Sequence, residues 1–171
     1  MNLLVSDISL HQPLPQGGEN RYIDLNRLNI SNCIGCFGCW VKTPGKCVIR
    51  DDAAGVYPLI AESKKLLYVS RIWCGSYDTP MKALLERSIP IQQAFLRLYQ
   101  GETHHVQRKV AEKDAVIVAY GCSSEEERAL FRRVVERNAS NMLFRSWNIR
   151  FTSLEEIEAA VWQEVQKWEN C

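Results

Sequence analysis

Cys33, Cys36, Cys39 and Cys47 stand in a C-x2-C-x2-C-x7-C spacing within SNCIGCFGCWVKTPGKCVIRDD. Thiolates are soft ligands that favour iron–sulfur clusters or zinc. The first three are close enough for successive thiolates to turn toward one centre, with Gly35 and Gly38 removing side-chain obstruction between them. A reversal at Pro44-Gly45 can return Cys47 to the same place. Spacing alone does not choose the metal. A tight loop of small, buried, metal-free thiols is the alternative.

Composition narrows the setting for this chemistry. The chain has 171 residues, a length that fits one globular domain over 1–171 with a sizeable core. Its 21 basic and 20 acidic side chains nearly cancel. No broad field therefore attracts nucleic acid or an anionic membrane. The opening MNLLVSDISLHQPLPQ lacks the basic start and long apolar core of a secretion signal, and the length of a membrane-spanning helix. A soluble cytoplasmic protein is the expectation. Seven cysteines in such a chain point to thiols or ligands rather than to a disulfide framework, and the odd count leaves at least one unpaired in a monomer. Cys171 is the candidate for an incidental thiol.

The elements that must position the cysteines follow from periodicity. Residues 3–8, 21–25, 65–70, 115–120 and 147–151 read as strands, and AVIVAY at 115–120 is apolar enough for a central parallel strand covered on both faces. The spacing predicts a helix from Asp51 or Asp52, with Pro58 kinking or shortening it. A second helix starts at Thr79-Pro80, with Thr79 as cap and Met81, Leu84 and Leu85 inward. A third is capped by Ser123 or Ser124, with Leu130, Phe131, Val134 and Val135 inward. The last begins near Ser153 and carries Leu154, Ile157, Val161, Val165 and Trp168 on one side. Residues 91–113 read as a helix followed by a loop. Alternating strands and helices imply a three-layer α/β sandwich.

Two runs carry a family resemblance. CIGCFGCWVKTPGKCVIRDD and KLLYVSRIWCGSYDTPMKALLERS together resemble the flavodoxin-like NAD(P)H-dependent FMN reductases, especially the iron–sulfur flavoprotein branch. The resemblance implies a parallel five-stranded sheet in the order 2-1-3-4-5. It also implies FMN at the carboxyl ends of the strands, reduction by NAD(P)H, a small electron acceptor or redox protein as the next partner, and assembly as dimers or tetramers. One wall of the flavin site would be Ser70, Arg71, Ile72, Trp73, Cys74, Gly75 and Ser76, and the other Tyr120, Gly121, Cys122 and Ser123. Cys33, Cys36, Cys39 and Cys47 would hold a 4Fe-4S cluster, with a set that holds no cluster as the other case the family pattern allows; zinc stays open from the thiolate chemistry alone.

Each of these residues has an ordinary alternative. Trp73 can stack on a flavin or simply pack. Gly75 and Gly121 can admit a ligand or make turns. Arg71 can meet a phosphate or lie on the surface, and Cys74 and Cys122 can be inert thiols. His104 and His105 fit a solvated loop as well as a proton-delivery role. One segment departs from the family. SDISLHQPLPQGGEN replaces the phosphate loop and its helix, Asp7 would repel a phosphate unless paired, and Gly17 and Gly18 could form a substitute nest. A flavodoxin-like structural or partner-binding protein that has lost FMN is therefore the alternative function, and a flavin-free metalloprotein the third.

Overall fold

The computed structural model describes residues 1–12, 14–15 and 20–168. Pro13, Gly17, Gly18 and Cys171, and with them the expected glycine nest and incidental thiol, lie outside the described residues. In chain order the elements are β1 (Asn2–Ser6), β2 (Asn20–Asp24), α1 (Gly38–Val41), α2 (Ala53–Glu62), β3 (Lys65–Trp73) and β4 (Ser76–Tyr77). Then come α3 (Thr79–Glu86), β5 (Gln92–Tyr99), β6 (Glu102–Gln107), β7 (Lys113–Tyr120), α4 (Glu125–Met142), β8 (Phe144–Thr152) and α5 (Ile157–Gln166).

Five parallel strands form the sheet in the order β2-β1-β3-β7-β8. This is the 2-1-3-4-5 order expected when only parallel strands are numbered. Alternation along the strands sends successive side chains to opposite faces. Leu3, Val5, Leu66, Tyr68, Ala115 and Ile117 join Val56 and Ile60 of α2, Met81 and Leu84 of α3 and Phe131 and Val135 of α4. Leu4, Leu67, Val69 and Val118 meet Ile157, Val161 and Val165 of α5 on the other face. Each such fully buried aliphatic side chain contributes about 1.5–3 kcal/mol.

Among the described residues the second face has one helix where the first has three. Among the described residues the link from β1 to β2 carries no helix, and Ile8, Leu10 and Leu14 pack against the α5 cluster instead. Tyr22 holds that segment: its hydroxyl accepts from the Leu10 amide at 3.0 Å and donates to the Ile8 carbonyl at 3.3 Å.

Several expectations are corrected. Residues 92–107 form an antiparallel hairpin rather than a helix and loop. Its turn, Gln100-Gly101, has φ of 50° and 82°, the left-handed conformation that two-residue hairpin loops require. A helix there would need one buried face, yet Phe95, Leu96 and Leu98 are all exposed. Asp78, not Thr79, caps α3, its carboxylate accepting from the Thr79 amide at 2.7 Å. α5 starts at Ile157, leaving Leu154 exposed. Pro58 lies inside α2, which continues past it to Glu62: the N–H it lacks would have bonded the Ala54 carbonyl, and Ala54, Gly55 and Pro58 are exposed, so that carbonyl meets water instead. No helix among the described residues is long and apolar enough to cross a membrane.

Candidate functional site

Open α/β sheets bind ligands at the carboxyl ends of their strands, where the strand order reverses, which here is the crevice between β1 and β3. Asp7, just past β1, fills it. Oδ2 of Asp7 accepts from the Arg71 amide at 2.7 Å and from the Ser70 hydroxyl at 3.0 Å. Oδ1 accepts from the Tyr120 hydroxyl at 3.0 Å. One carboxylate thus ties the ends of β1, β3 and β7. Burial pushes the Asp7 carboxyl up from its ordinary value, and the donors from Arg71, Ser70 and Tyr120 oppose that shift. Burial, and then the nearby Asp7 charge, raise the Tyr120 phenol and hold its proton on.

The structure brings part of the predicted set together. Arg71, Tyr120, Gly121 and Cys122 line a cleft of about 740 Å³ with Ile8, Arg128 and Phe151. The predicted loop after residue 70 is instead more strand. β3 runs on to Trp73, turns at Cys74-Gly75 with φ of 51° and 71°, and pairs with β4, placing Trp73 opposite Ser76. Ser70 and Ile72 are wholly buried. Ser70 therefore acts through Asp7, and Ile72 is core rather than wall. Trp73 is 59% exposed, and the Arg71 guanidinium lies 5.2 Å from its ring centre. Gly75 is needed for packing as well as for its turn, since a Cβ there would stand 2.7 Å from the Leu130 Cβ. Leu130, expected to face inward, is accordingly exposed on α4 where it covers this turn.

Glu127 joins the two walls. Its Oε1 accepts from the Gly75 amide at 3.2 Å, and its Oε2 from the Ser123 amide at 2.9 Å and hydroxyl at 3.0 Å. Those bonds, the Ser123 amide first, hold its carboxyl below the usual range. The Ser124-x-x-Glu127 spacing marks a helix start, and Ser124 does cap the Glu127 amide at 3.2 Å. What that pattern does not reveal is that the carboxylate reaches on to the β3–β4 turn.

The cysteine loop is fastened at both ends by Arg87, which is 1% exposed. Its guanidinium binds Asp51 twice, at 2.6 and 2.8 Å, and donates to the Ser31 carbonyl at 2.8 Å. Asp51 in turn accepts from the Ser31 amide at 2.9 Å. The expected reversal occurs at Gly45, where φ is 85° and the amide donates to the Cys39 carbonyl at 2.9 Å. Gly38 sits at a close approach: a Cβ would lie 2.8 Å from Val48 Cγ1, so Val48 would have to move to admit one. Trp40 docks the loop on the hairpin, its ring 4.6 Å from that of His105. His104 bridges Asn141 and Glu102 at 3.0 and 3.1 Å, tying the hairpin to α4.

The four thiols have the chemistry of a metal-binding set. Cys39 is raised from its ordinary value by burial and then by the charges of Cys47, Cys33 and Cys36, so the group is electrostatically coupled. Arg87 feels the charge of Cys47 as well as of Asp51, and its buried Nε has no hydrogen-bond partner. A cationic, incompletely satisfied donor beside clustered thiols suits an anionic thiolate-bound centre. Among the described residues, however, no three His, Cys, Asp or Glu side chains are placed to hold a metal ion.

No protein-family model matches the chain. An iron-sulfur flavoprotein of Methanocaldococcus jannaschii is 31% identical over 93 residues, covering 54% of this chain and 47% of that protein. An iron-sulfur flavoprotein of Archaeoglobus fulgidus is 29% identical over 84 residues, 49% of this chain and 37% of its own length. The matched stretch spans less than half of each curated relative. The crystal structure of an FMN-dependent NADH-azoreductase from Bacillus anthracis in complex with FMN aligns over 98% of this chain and 97% of that one, with a TM-score of 0.60 and 10% identity. The shared architecture is the flavodoxin-like fold.

Proposed function

We propose that this chain is a flavin-dependent NAD(P)H oxidoreductase that passes electrons to a small acceptor or redox protein, acting as one flavodoxin-like domain over 1–171. The observation that carries the reading is the open cleft at the ends of β3, β7 and β8, walled by Arg71 and by Tyr120, Gly121 and Cys122. It opens at the carboxyl ends of the strands, the end of the sheet at which this architecture places ligands, beside the β1–β3 reversal that Asp7 fills. The flavoprotein relatives, and the FMN in the solved neighbour, support the same reading. A bound flavin supplies hydride acceptance and release, while the protein supplies orientation and electrostatics. The wall residues fit the ring side of that role: Trp73 is exposed beside the cleft, and Glu127 fixes the β3–β4 turn against Ser123. The test is a purified preparation whose oxidised-flavin spectrum bleaches when NADH or NADPH is added. No flavin uptake after attempted reconstitution would end the proposal.

The cysteine loop belongs to the same reading. Cys33, Cys36, Cys39 and Cys47 are the residues that would hold a 4Fe-4S cluster or zinc, a reading supported by their thiolate chemistry and spacing and by the iron-sulfur flavoprotein relatives, and one that requires the loop to draw its thiols together, since no three described side chains stand as a metal site here. A cluster would supply single-electron transfer, whereas zinc would brace the loop. Iron, acid-labile sulfide and zinc analysis after anaerobic purification separates the cases. If all four thiols are ligands, each Cys→Ser change lowers the same metal content. Assembly as a dimer is checked by light scattering. The second reading, a partner-binding protein without flavin, is favoured by one observation, the filling of the β1–β3 crevice by Asp7.

A further inference from the structure

We propose that the outer edge of β5 pairs with the same edge of a second copy of this chain, making the hairpin at 92–107 the dimer surface. The inference gives the assembly in the proposed function its interface and rests on that assembly, independently of the flavin. Of the eleven large apolar side chains that the described residues leave exposed, five cluster on the hairpin and the helix against it. They are Phe95, Leu96 and Leu98 of β5, at 71%, 61% and 79%, with Phe37 and Val41 of the cysteine loop. Contacts join the two groups. Leu96 stands opposite His105, the His105 ring is 4.6 Å from that of Trp40, and the Trp40 ring is 5.3 Å from that of Phe37. The opposite face of the hairpin is already taken, since His104 and Glu102 bind Asn141 and Arg137 of α4.

The register exposes backbone as well. Tyr99 and Glu102 close the two-residue turn as a hydrogen-bonded pair, and such pairs alternate along an antiparallel ladder. Arg97 and His104 are therefore the next bonded pair, and Leu96 and Leu98 turn amide and carbonyl outward, away from β6. Natural sheet edges are blunted by charge or proline. Residues 94–99 carry only Arg97, whose guanidinium is drawn back over the Tyr99 ring at 4.6 Å. An antiparallel edge is complementary to itself: about a two-fold axis each outward amide meets a carbonyl of the same strand in the partner. Uncharged Phe95, Leu96 and Leu98 also meet their counterparts without repulsion. The area suits this occupant. Such side chains offer about 60–120 Å² apiece when wholly exposed, so the cluster presents a few hundred Å², the order of the apolar core in an interface of about 800 Å² per partner.

Sedimentation velocity of the full chain at micromolar concentrations should give twice the chain mass. Hydrogen exchange on the same protein should show the Leu96 and Leu98 amides gaining protection as concentration rises through the monomer–dimer transition. In Leu98→Arg, checked for native circular dichroism, the dimer dissociation constant should rise by at least about tenfold, the scale of one interface anchor lost. A chain that stays monomeric, whether free or bound to vesicles of anionic phospholipid, overturns the inference and the assembly reading together and leaves the flavin reading standing. A dimer whose strength is unchanged in a folded Leu98→Arg variant, or whose Leu96 and Leu98 amides exchange freely, overturns the assignment to β5 and leaves the assembly reading standing. The exchange measurement needs no variant, so it decides the matter even if Leu98→Arg does not fold.

Discussion

Arg87 and Asp51 form a bidentate ion pair with both side chains essentially out of water, 0% and 7% exposed. Through it the end of α3 grips both ends of the cysteine loop. Burial alone would push the Asp51 carboxyl up, but the bonds from Arg87 and the Ser31 amide outweigh it and the carboxyl lies below its ordinary value. Removing one partner leaves an uncompensated charge, which costs about 3–5 kcal/mol. Arg87→Met should therefore lower the free energy of unfolding in urea by that order. Arg87→Met with Asp51→Leu should recover much of it. A single substitution that leaves the unfolding midpoint in place would show that the pair is not holding the loop.

Lys113 offers a test by pH. It is wholly buried at the start of β7, with Nζ 2.6 Å from the Ala111 carbonyl and 3.4 Å from that of Met142 at the end of α4. Burial lowers its ammonium from 10.5 to about 8. The unfolded chain therefore holds a proton that the folded chain releases between pH 8 and 10.5, and stability from this group rises with pH across that window. Relative to Lys113→Met, the wild-type protein should gain roughly 2 kcal/mol between pH 7.5 and 9.5. Paired urea titrations at the two pH values measure it. A constant difference would mean that Lys113 keeps its ordinary affinity for protons.

What was legible in the sequence follows from how local each signal is. AVIVAY announces β7 because a continuous apolar run is a property of six adjacent residues. The hairpin at 92–107 did not show itself, because its strands are exposed, Phe95 and Leu98 among them, and apolar residues there mimic a helical stripe. Asp7 was legible as a misfit for phosphate, but its partners were not. They lie 63, 64 and 113 residues away, and only the sheet order brings Ser70, Arg71 and Tyr120 to one carboxylate. For the same reason Ile72 could be read as a wall residue: nothing local says that the strand continues through it.

Glu127 should matter to ligand uptake more than to folding. It holds the Gly75 and Ser123 amides from the first turn of α4, where a carboxylate also suits the helix end. Glu127→Ala releases the β3–β4 turn from the Tyr120–Ser123 wall. Flavin affinity should fall by roughly threefold to tenfold, the net scale of one ordinary hydrogen bond, because Glu127 acts on the ligand only through the turn it holds, while the melting temperature changes little. Glu127→Gln should retain part of the affinity, since its carbonyl oxygen can still accept. Because the carboxyl is held below 4.5, the clip contributes fully above that pH and is lost as pH falls through the lower, folded value. Fluorescence titration of both variants at neutral pH gives the comparison. Equal affinities in Glu127→Ala and wild type would detach the turn from the site.

Gly75→Ala separates the turn's packing from any contact with a ligand. The new Cβ meets two obstacles, a φ of 71° that disfavours side chains and the Leu130 Cβ at 2.7 Å, which belongs to a rigid part of its side chain. The left-handed conformation alone costs about 1–2 kcal/mol, and the contact adds to it. In Gly75→Ala with Leu130→Ala the Leu130 branches at 3.1 and 3.5 Å are gone but the Cβ contact remains. Only Leu130→Gly removes that atom, at a helix-propensity cost of about 1 kcal/mol. The variant carrying both Gly75→Ala and Leu130→Ala should therefore remain destabilised by at least the left-handed strain. Recovery of full stability in thermal unfolding would show that the turn relaxes to a different φ and that Gly75 is dispensable for holding β4 against β3.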